Sequence, residues 1–312
     1  MKYISTLKEG DSLRGIYLCK NKRSAETRNG KPYDNLKLQD KTGVLDGKIW
    51  DPNSNGIADY SDGDFVDIFG EVVSFNNNLQ LNIKQLRVAH EDEYTPADYM
   101  PTSEKDPEIM YEEIIGFVEE IENPYLSQAV KYYFVDDEEF IKVFKGHSAA
   151  KTVHHGFAGG LLEHTLGVLK FCRYMLGAYP ILKKDLLYAA ALFHDIGKVK
   201  ELSDFPENDY TDEGQLLGHI IIGVEMINKA IDSIEGFPPV VANELKHCVL
   251  AHHGELEYGS PKKPALAEAF ALNFADCTDA RMQTLTELFK GKEGNEWLGY
   301  NRLFESNIRR TI

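Results

Sequence analysis

The spacing of apolar residues changes along the chain, and this change constrains the fold more than any other feature. Over residues 1–90, apolar and polar residues alternate with the period of a β-strand in five segments, separated by turn signals such as Asn29-Gly30 and Asp62-Gly63. From residue 148 onward, apolar residues recur with helical spacing. Five short strands in a row indicate a small closed barrel. The sequence therefore predicts a multidomain protein, with an all-β N-terminal barrel followed by an all-α helical bundle.

Residues 91–147 are predicted to be an acidic helical linker between these parts. Pro96, Pro101 and Pro107 mark an irregular start before "PEIMYEEIIGFVEEIEN", which has helical spacing. This segment has 4 Lys and Arg against 16 Asp and Glu, whereas residues 1–90 have 13 against 12. Much of the net charge of −16 is therefore concentrated here, and a nucleic-acid surface on the barrel is compatible with the composition.

The chain carries no sequence signal for a membrane or for export. No apolar stretch reaches the roughly 18 residues of a membrane span, and the first residues lack the apolar region of a signal peptide. The four cysteines are scattered without a CxxC pair, which indicates neither a disulfide framework nor a thiolate zinc site. We therefore expect a cytoplasmic protein with no membrane partner.

Histidines concentrate in the helical part, where nine of the ten lie from His147 to His253. The apolar run from Leu186 ends directly in His194 and Asp195, and a buried carboxylate is costly unless a positive partner holds it. Similar interruptions of predicted helix faces occur at His164, His219, His252 with His253, and Asp276. A helix bundle holds metal ions with such inward-facing side chains, and imidazole with carboxylate suits Mn, Fe, Co, Ni or Zn.

The order His164, His194-Asp195 and Asp276 resembles the H…HD…D signature of the HD-domain metal-dependent phosphohydrolases, and "HDIGK" is the form common in phosphodiesterase-type members. With the barrel, the acidic linker, "SAAKTVHHGFAGGLLEHTLGV" and "LAHHGELEYGSPKKP", the whole chain resembles the YhaM family of bacterial 3′-to-5′ exoribonucleases. The resemblance implies that these four residues hold one divalent ion. His219, His252 and His253 match the positions that hold a second ion, with Asp195 as the bridge.

This family resemblance implies a metal-dependent 3′-to-5′ exoribonuclease that hydrolyses single-stranded RNA, with single-stranded DNA left open as a further substrate. One or two divalent ions per chain are expected, Mn²⁺ first, with Co²⁺, Fe²⁺, Ni²⁺ or Zn²⁺ as alternatives. The predicted catalytic residues are Asp195, Lys198 and His155. Lys198 would stabilise charge on the phosphate, although a lysine at a helix end is the alternative. His155, with its neighbour His154, would contact substrate or protonate the leaving 3′-oxygen.

The barrel resembles the oligonucleotide/oligosaccharide-binding (OB) fold, especially at "LKLQDKTGVLDGKIWD". That fold binds single strands through a basic groove and aromatic stacking. The expected nucleic-acid-binding residues are Lys20, Lys22, Arg23, Arg28, Lys31, Tyr33 and Trp50, with Tyr17 and Phe75 as further stacking candidates. Solvated basic residues and core aromatics are the alternative interpretation.

The predicted organisation is an OB-fold nucleic-acid-binding domain over residues 1–90, the linker over 91–147 and an HD-type phosphohydrolase domain over 148–312. Two other functions stay open. One is an HD-type nucleotidase or cyclic-dinucleotide phosphodiesterase, for which a strand-binding barrel would have no purpose. The other is a non-catalytic single-strand-binding regulator with a structural metal. Whether the chain forms a homo-oligomer is also open.

Overall fold

Alternating apolar residues near the N-terminus form the five strands that they predict. These are Ser12–Glu26 (β1), Pro32–Asp40 (β2), Gly43–Ile49 (β3), Phe65–Phe75 (β4) and Asn78–Val88 (β5). They close into a barrel in the order β1-β2-β3-β5-β4, in which β3 and β5 are parallel and the other pairs antiparallel. Leu13, Leu38 and Leu81 are fully buried inside it. The prediction of an OB-like barrel is confirmed.

The chain folds into two compact units. This computed structural model describes residues 2–27, 29–75, 78–99, 102–103, 105–151, 155–205, 207–290 and 294–311. Unit one comprises Met1–Glu104 together with Ser203–Asp209, and unit two comprises Lys105–Leu202 and Tyr210–Ile312. Unit one therefore includes a short loop that is far from the barrel in sequence.

That loop packs through one aromatic side chain. Phe205 lies against an apolar cluster of unit one that includes Leu18, Phe65 and Tyr99 and is separate from the barrel interior. The Lys20 ammonium lies 5.7 Å from the centre of the Phe205 ring. The contact explains why residues 203–209 belong with the barrel.

Unit two is built from helices, several of which begin at a capping side chain. They are Pro107–Glu119 (α1), Pro124–Phe134 (α2), Glu138–Gly146 (α3), Gly160–Ala178 (α4), Lys184–Phe193 (α5), Lys198–Glu201 (α6), Asp212–Asp232 (α7), Pro239–Leu250 (α8) and Ala267–Phe289 (α9). Asp106, Asn123 and Asp137 accept hydrogen bonds from peptide N–H groups in the first turns of α1, α2 and α3. Such caps satisfy donors that the helix leaves unpaired.

One apolar core holds these helices together. In α5, every residue from Leu186 to Phe193 is buried, so this helix is the centre of the bundle. The segment predicted as a linker contributes α1, α2 and α3, whose Ile114, Val130 and Phe144 join the same core. Acidic residues cover the outer faces of these helices. Because of this high acidic content, the sequence did not reveal that their inner faces belong to the core.

The end of the chain differs from the predicted helical pattern. Trp297–Asn301 (β6) and Ser306–Arg309 (β7) form an antiparallel hairpin. The expectation of an almost wholly helical chain after residue 148 is wrong here, because Trp297, Tyr300 and Ile308 are of types that favour strands. Within the described residues, no helix is both long and apolar enough to cross a membrane.

Candidate metal centre and nucleic-acid surface

The predicted metal-ligating side chains meet inside unit two. His164 lies on α4, His219 on α7 and Asp276 on α9, whereas His194 and Asp195 follow α5 directly and His252 and His253 follow α8. His194 and His252 are fully buried, and Asp195 is 2% exposed. The structure thus brings together residues that are up to 112 positions apart in the sequence.

The first ligand group consists of His164, His194 and Asp276, whose candidate ligand atoms lie within 4.8 Å of one another. His164 Nε2 lies 3.2 Å from Asp276 Oδ1 and 3.2 Å from His194 Nε2. Asp195 Oδ2 lies 3.4 Å from His164 Nε2 and 3.5 Å from His194 Nε2. One oxygen of Asp195 therefore faces this group.

The second ligand group consists of His219, His252 and His253, which also offer atoms within 4.8 Å of one another. The other oxygen of Asp195, Oδ1, lies 3.4 Å from His219 Nε2 and 3.7 Å from His252 Nε2. The Asp195 carboxylate thus stands between the two groups, with one oxygen toward each.

Unpaired polar atoms in this centre fit a cation. Asp195 Oδ1, His219 Nε2 and His252 Nε2 are buried and have no hydrogen-bond partner. Buried polar atoms are normally paired, since leaving them unpaired costs free energy. A donor set of imidazole nitrogens and carboxylate oxygens suits the divalent ions of the first transition series. The residues present therefore fit a divalent ion.

Charges around the centre keep its carboxylates ionised. Burial by itself raises the pKa of Asp195, but nearby positive charge, that of the Lys198 ammonium above all, outweighs burial and holds that pKa well below its usual range. The Lys198 ammonium lies 2.7 Å from Asp195 Oδ2. Lys198 begins the short α6. It supplies the positive partner that the buried His194-Asp195 pair requires.

The histidines of the centre differ in their protonation. Burial lowers the pKa of His194 and lowers that of His252 well below its ordinary value, so both rings are neutral and offer a lone pair. Burial also acts to lower the pKa of His164, but its hydrogen bonds with Asp276 and Asp279 outweigh this and raise the pKa to about 10. An ion that binds His164 must therefore displace a proton from it.

All five histidine rings of the two ligand groups use the same nitrogen, Nδ1, to contact an oxygen. Each Nδ1 contacts an oxygen: Ala191 O for His194, Val249 O for His252, Tyr258 O for His253, Asp279 Oδ2 for His164 and Glu201 Oε1 for His219. Since an oxygen accepts, the Nδ1–H donates, and Nε2 is the nitrogen left for a ligand role. Backbone or carboxylate oxygens thus fix the orientation of each of these five rings.

His155, predicted to be catalytic, lies behind His164. Its Nε2 is 3.0 Å from Asp279 Oδ2, the same oxygen that binds His164 Nδ1, and the side chain is 2% exposed. His155, His164 and Asp279 offer ligand atoms within 4.8 Å, but in this set both histidines hydrogen-bond the carboxylate. His155 is therefore an outer neighbour of the first ligand group. His154 lies outside the described residues.

On the barrel, an exposed patch of aromatic and cationic side chains lies on β1, β2 and β3. The ring of Trp50, directly after β3, is 5.8 Å from the ring of Tyr33, and Trp50 is 52% exposed. The Lys48 ammonium lies 4.5 Å from the Tyr33 ring and 4.2 Å from the Trp50 ring. Arg23 pairs with Asn35 across the sheet, and Asn35 pairs with Lys48. Arg23, Tyr33, Lys48 and Trp50 are called the Trp50 patch below.

The other predicted basic residues have different surroundings. The Lys22 ammonium donates to the Tyr60 carbonyl oxygen at 2.7 Å and lies 4.0 Å from the buried Asp34 carboxylate. Lys20 lies near Phe205, as described above, and Lys31 is exposed in the β1–β2 connection. Arg28 lies outside the described residues.

The two further stacking candidates, Tyr17 and Phe75, differ in exposure. Tyr17 is fully buried in the barrel core, and its hydroxyl donates to the Lys2 carbonyl oxygen. The expectation that it stacks on bases is wrong, because its strand turns this position inward. Phe75, at the end of β4, is 64% exposed.

Three residues of these sites were missed in the sequence. Asp279 lies three residues after Asp276 on α9, Glu201 lies at the end of α6, and Lys48 lies two residues before Trp50. Helical spacing of three and strand spacing of two put side chains on one face. The spacing of Asp279 from Asp276 and of Lys48 from Trp50 was therefore a signal that could have identified both residues.

Comparison with known proteins agrees with this architecture. Residues 161–281 match the family model of the HD domain, and this interval contains both ligand groups. Fold and site together define an HD-domain protein with an N-terminal OB-type barrel.

The particular family follows from a longer match. Over 279 residues, the chain is 36% identical to the 3′-5′ exoribonuclease YhaM of Geobacillus sp. (strain WCH70), which covers 88% of this chain and 84% of that protein. The chain belongs to the YhaM family.

Two solved structures resemble a smaller part. The second OB-fold domain of replication protein A from Methanococcus maripaludis is 18% identical, with a TM-score of 0.22, and the match covers 29% of this chain and 95% of that one. A replication protein A heterotrimer bound to ssDNA is also 18% identical, with a TM-score of 0.21, covering 28% of this chain and 65% of that one.

Proposed function

We propose that this protein is a metal-dependent 3′-to-5′ exoribonuclease that hydrolyses single-stranded RNA, with single-stranded DNA as a second substrate to be tested. The observation that carries the proposal is the Asp195 carboxylate between two groups of nitrogen and oxygen donors. The exoribonuclease named among its relatives supports the substrate class.

In this proposal, His164, His194, Asp195 and Asp276 hold one divalent ion, and His219, His252 and His253 with Asp195 hold a second. Such ions lower the pKa of a bound water, which supplies the nucleophile, and neutralise charge on the scissile phosphate. Mn²⁺ is the proposed metal, and Co²⁺, Fe²⁺, Ni²⁺ and Zn²⁺ also suit these donors.

Lys198 has a defined part in the proposed reaction. Its ammonium keeps Asp195 ionised and fixes the direction of the carboxylate. Asp195 can therefore present one oxygen to each ligand group. Contact between Lys198 and a substrate phosphate stays a prediction. His155 is hydrogen-bonded to Asp279 and buried, which favours a supporting role over protonation of the leaving oxygen.

The barrel is proposed to bind the single strand. Trp50 offers an exposed ring and Tyr33 a partly exposed ring on which bases can stack, and Lys48 and Arg23 supply positive charge for the backbone phosphates. A nucleotidase or a cyclic-dinucleotide phosphodiesterase would have no use for such a patch. We further propose a cytoplasmic location, which suits the free thiols of the chain.

Degradation of labelled strands tests the proposal. Purified protein with Mn²⁺ should shorten 5′-labelled single-stranded RNA stepwise, and the Asp195→Ala variant should leave it intact. Parallel reactions with DNA test the second substrate. Turnover of mononucleotides or cyclic dinucleotides alone would contradict exonuclease action, and strand binding without degradation under any divalent ion would favour a non-catalytic regulator.

A further inference from the structure

Two carboxylates outside the ligand groups contact one histidine of each group. Asp279 contacts His164 of the first group, and Glu201 contacts His219 of the second. The other three rings rest on backbone carbonyl oxygens, as described above. His164 and His219 are therefore the two rings of the centre whose Nδ1 partner is a side chain.

The position of Asp279 is built by several neighbours. Its Oδ2 lies 2.7 Å from His164 Nδ1 and 3.0 Å from His155 Nε2, so one oxygen serves two rings. Gly167, one turn after His164 on α4, leaves the space that the carboxylate fills. A Cβ at Gly167 would lie 2.6 Å from Asp279 Cγ and closer still to its Oδ1. The absence of a side chain at this glycine admits Asp279.

The position of Glu201 depends on a break in α7. Gly218 has a φ of 73°, which interrupts the helix just before His219. Glu201 Oε1 lies 2.9 Å from the peptide nitrogen of His219 and 2.9 Å from its Nδ1. A single oxygen thus caps the second half of α7 and holds the ring at its start.

We infer that Asp279 and Glu201 are positioning residues with separate duties: Asp279 orients His164 for the ion of the first group, and Glu201 orients His219 for the ion of the second. The inference rests on the proposed function, because it takes both groups to hold ions. A carboxylate on Nδ1 fixes the rotation and the tautomer of a ligating imidazole. Loss of such a partner weakens metal affinity by about 10- to 100-fold.

Calorimetric titration with Mn²⁺ tests the assignment. The wild type should bind two ions per chain, and Asp279→Asn and Glu201→Gln should each weaken one binding step about 10- to 100-fold while leaving the other unchanged. To identify the step, both substitutions are repeated in an Asp276→Ala background, which impairs the first group. There, the remaining ion should respond to Glu201→Gln and not to Asp279→Asn.

A steric variant separates positioning from charge and from misfolding. Gly167→Ala displaces the Asp279 carboxylate without removing its charge, so it should weaken the same step as Asp279→Asn. Gly177→Ala on the same helix is the matched control, because a Cβ there meets nothing within 4 Å. Melting temperatures identify variants that fail to fold. In folded variants, Mn²⁺ at about 10- to 100-fold higher concentration should restore RNA degradation.

The outcomes distinguish this inference from the proposed function. Wild-type Mn²⁺ affinities in folded Asp279→Asn and Glu201→Gln would overturn the inference, as would both substitutions weakening the same step. If the wild type binds two ions with the assigned sensitivities but leaves RNA intact, the proposed function fails and the inference stands. A wild type that binds no divalent ion would overturn both.

Discussion

Substitution of Gly197 by alanine should damage the metal centre by displacing the backbone of α7. Gly197 ends the turn that carries His194 and Asp195. A Cβ at this position would overlap the His219 carbonyl oxygen, and it would lie 2.7 Å from the Gly223 nitrogen and 2.9 Å from the His219 carbonyl carbon. All of these neighbours are backbone atoms of α7, which cannot rotate away as a side chain could. The turn and α7 must therefore separate.

The size of the effect follows from this geometry. Ordinary contact needs about 3.5 Å between such atoms, so the backbones must move apart by roughly 1 Å. Overpacking of this kind costs about 1–3 kcal/mol of the free energy of unfolding. Because His219 moves with α7 while Asp195 stays on the turn, the second ligand group opens. A misplacement of about 1 Å at a reacting centre lowers a rate about 100-fold.

Two measurements on Gly197→Ala check this reasoning. Urea unfolding gives the change in the free energy of unfolding, and Mn²⁺-dependent shortening of 5′-labelled RNA gives the change in rate. Gly177→Ala is again the control, and it should unfold at the wild-type urea concentration or above it, because alanine favours a helix more than glycine does. A Gly197→Ala protein with the wild-type unfolding midpoint and the wild-type rate would refute the reasoning.

Three further predictions concern single side chains. Trp50→Ala should weaken single-stranded RNA binding about 10- to 100-fold, read by fluorescence anisotropy, because it removes a stacking surface; unchanged affinity would contradict a role for the Trp50 patch. Lys198→Gln should lower the free energy of unfolding by about 3 kcal/mol without metal, because it leaves the buried Asp195 carboxylate without its lysine partner. With Mn²⁺ the loss should be smaller, since the ion pairs with the carboxylate. Equal losses with and without Mn²⁺ in urea titrations would contradict this. Because the pKa of His164 is raised to about 10, its proton stays bound at pH 7, and Mn²⁺ affinity should rise up to tenfold per pH unit toward pH 10. Calorimetry that shows no such rise would count against His164 as a ligand.

The barrel and the members of both ligand groups were predictable from the sequence. Strand alternation indicates which residues share one face of a strand, and each predicted ligand interrupts an apolar helix face or follows one. Tyr17 shows where this approach fails, because several strand positions in β1 are compatible with either face until the neighbouring strands are known. Its burial is decided by the closure of the barrel.

The supporting carboxylates were harder to predict. Asp279 is 115 residues from His164, and their contact depends on α9 packing beside α4 at the small Gly167. The Glu201 contact depends on the helix break at Gly218. Neither contact follows from the spacing of apolar residues, because both depend on which helices become neighbours. The pattern locates candidate ligands, and tertiary packing selects their partners.

The loop Ser203–Asp209 has a practical consequence for dissecting the protein. Because Phe205 belongs to an apolar cluster of the barrel unit, neither unit corresponds to one continuous piece of chain. A fragment that stops at residue 104 loses this ring, and a fragment that starts at residue 105 carries it without its neighbours. A soluble fragment of the helical unit would need a polar residue in place of Phe205. A soluble fragment of the barrel would need a polar substitution in the apolar cluster against which Phe205 packs.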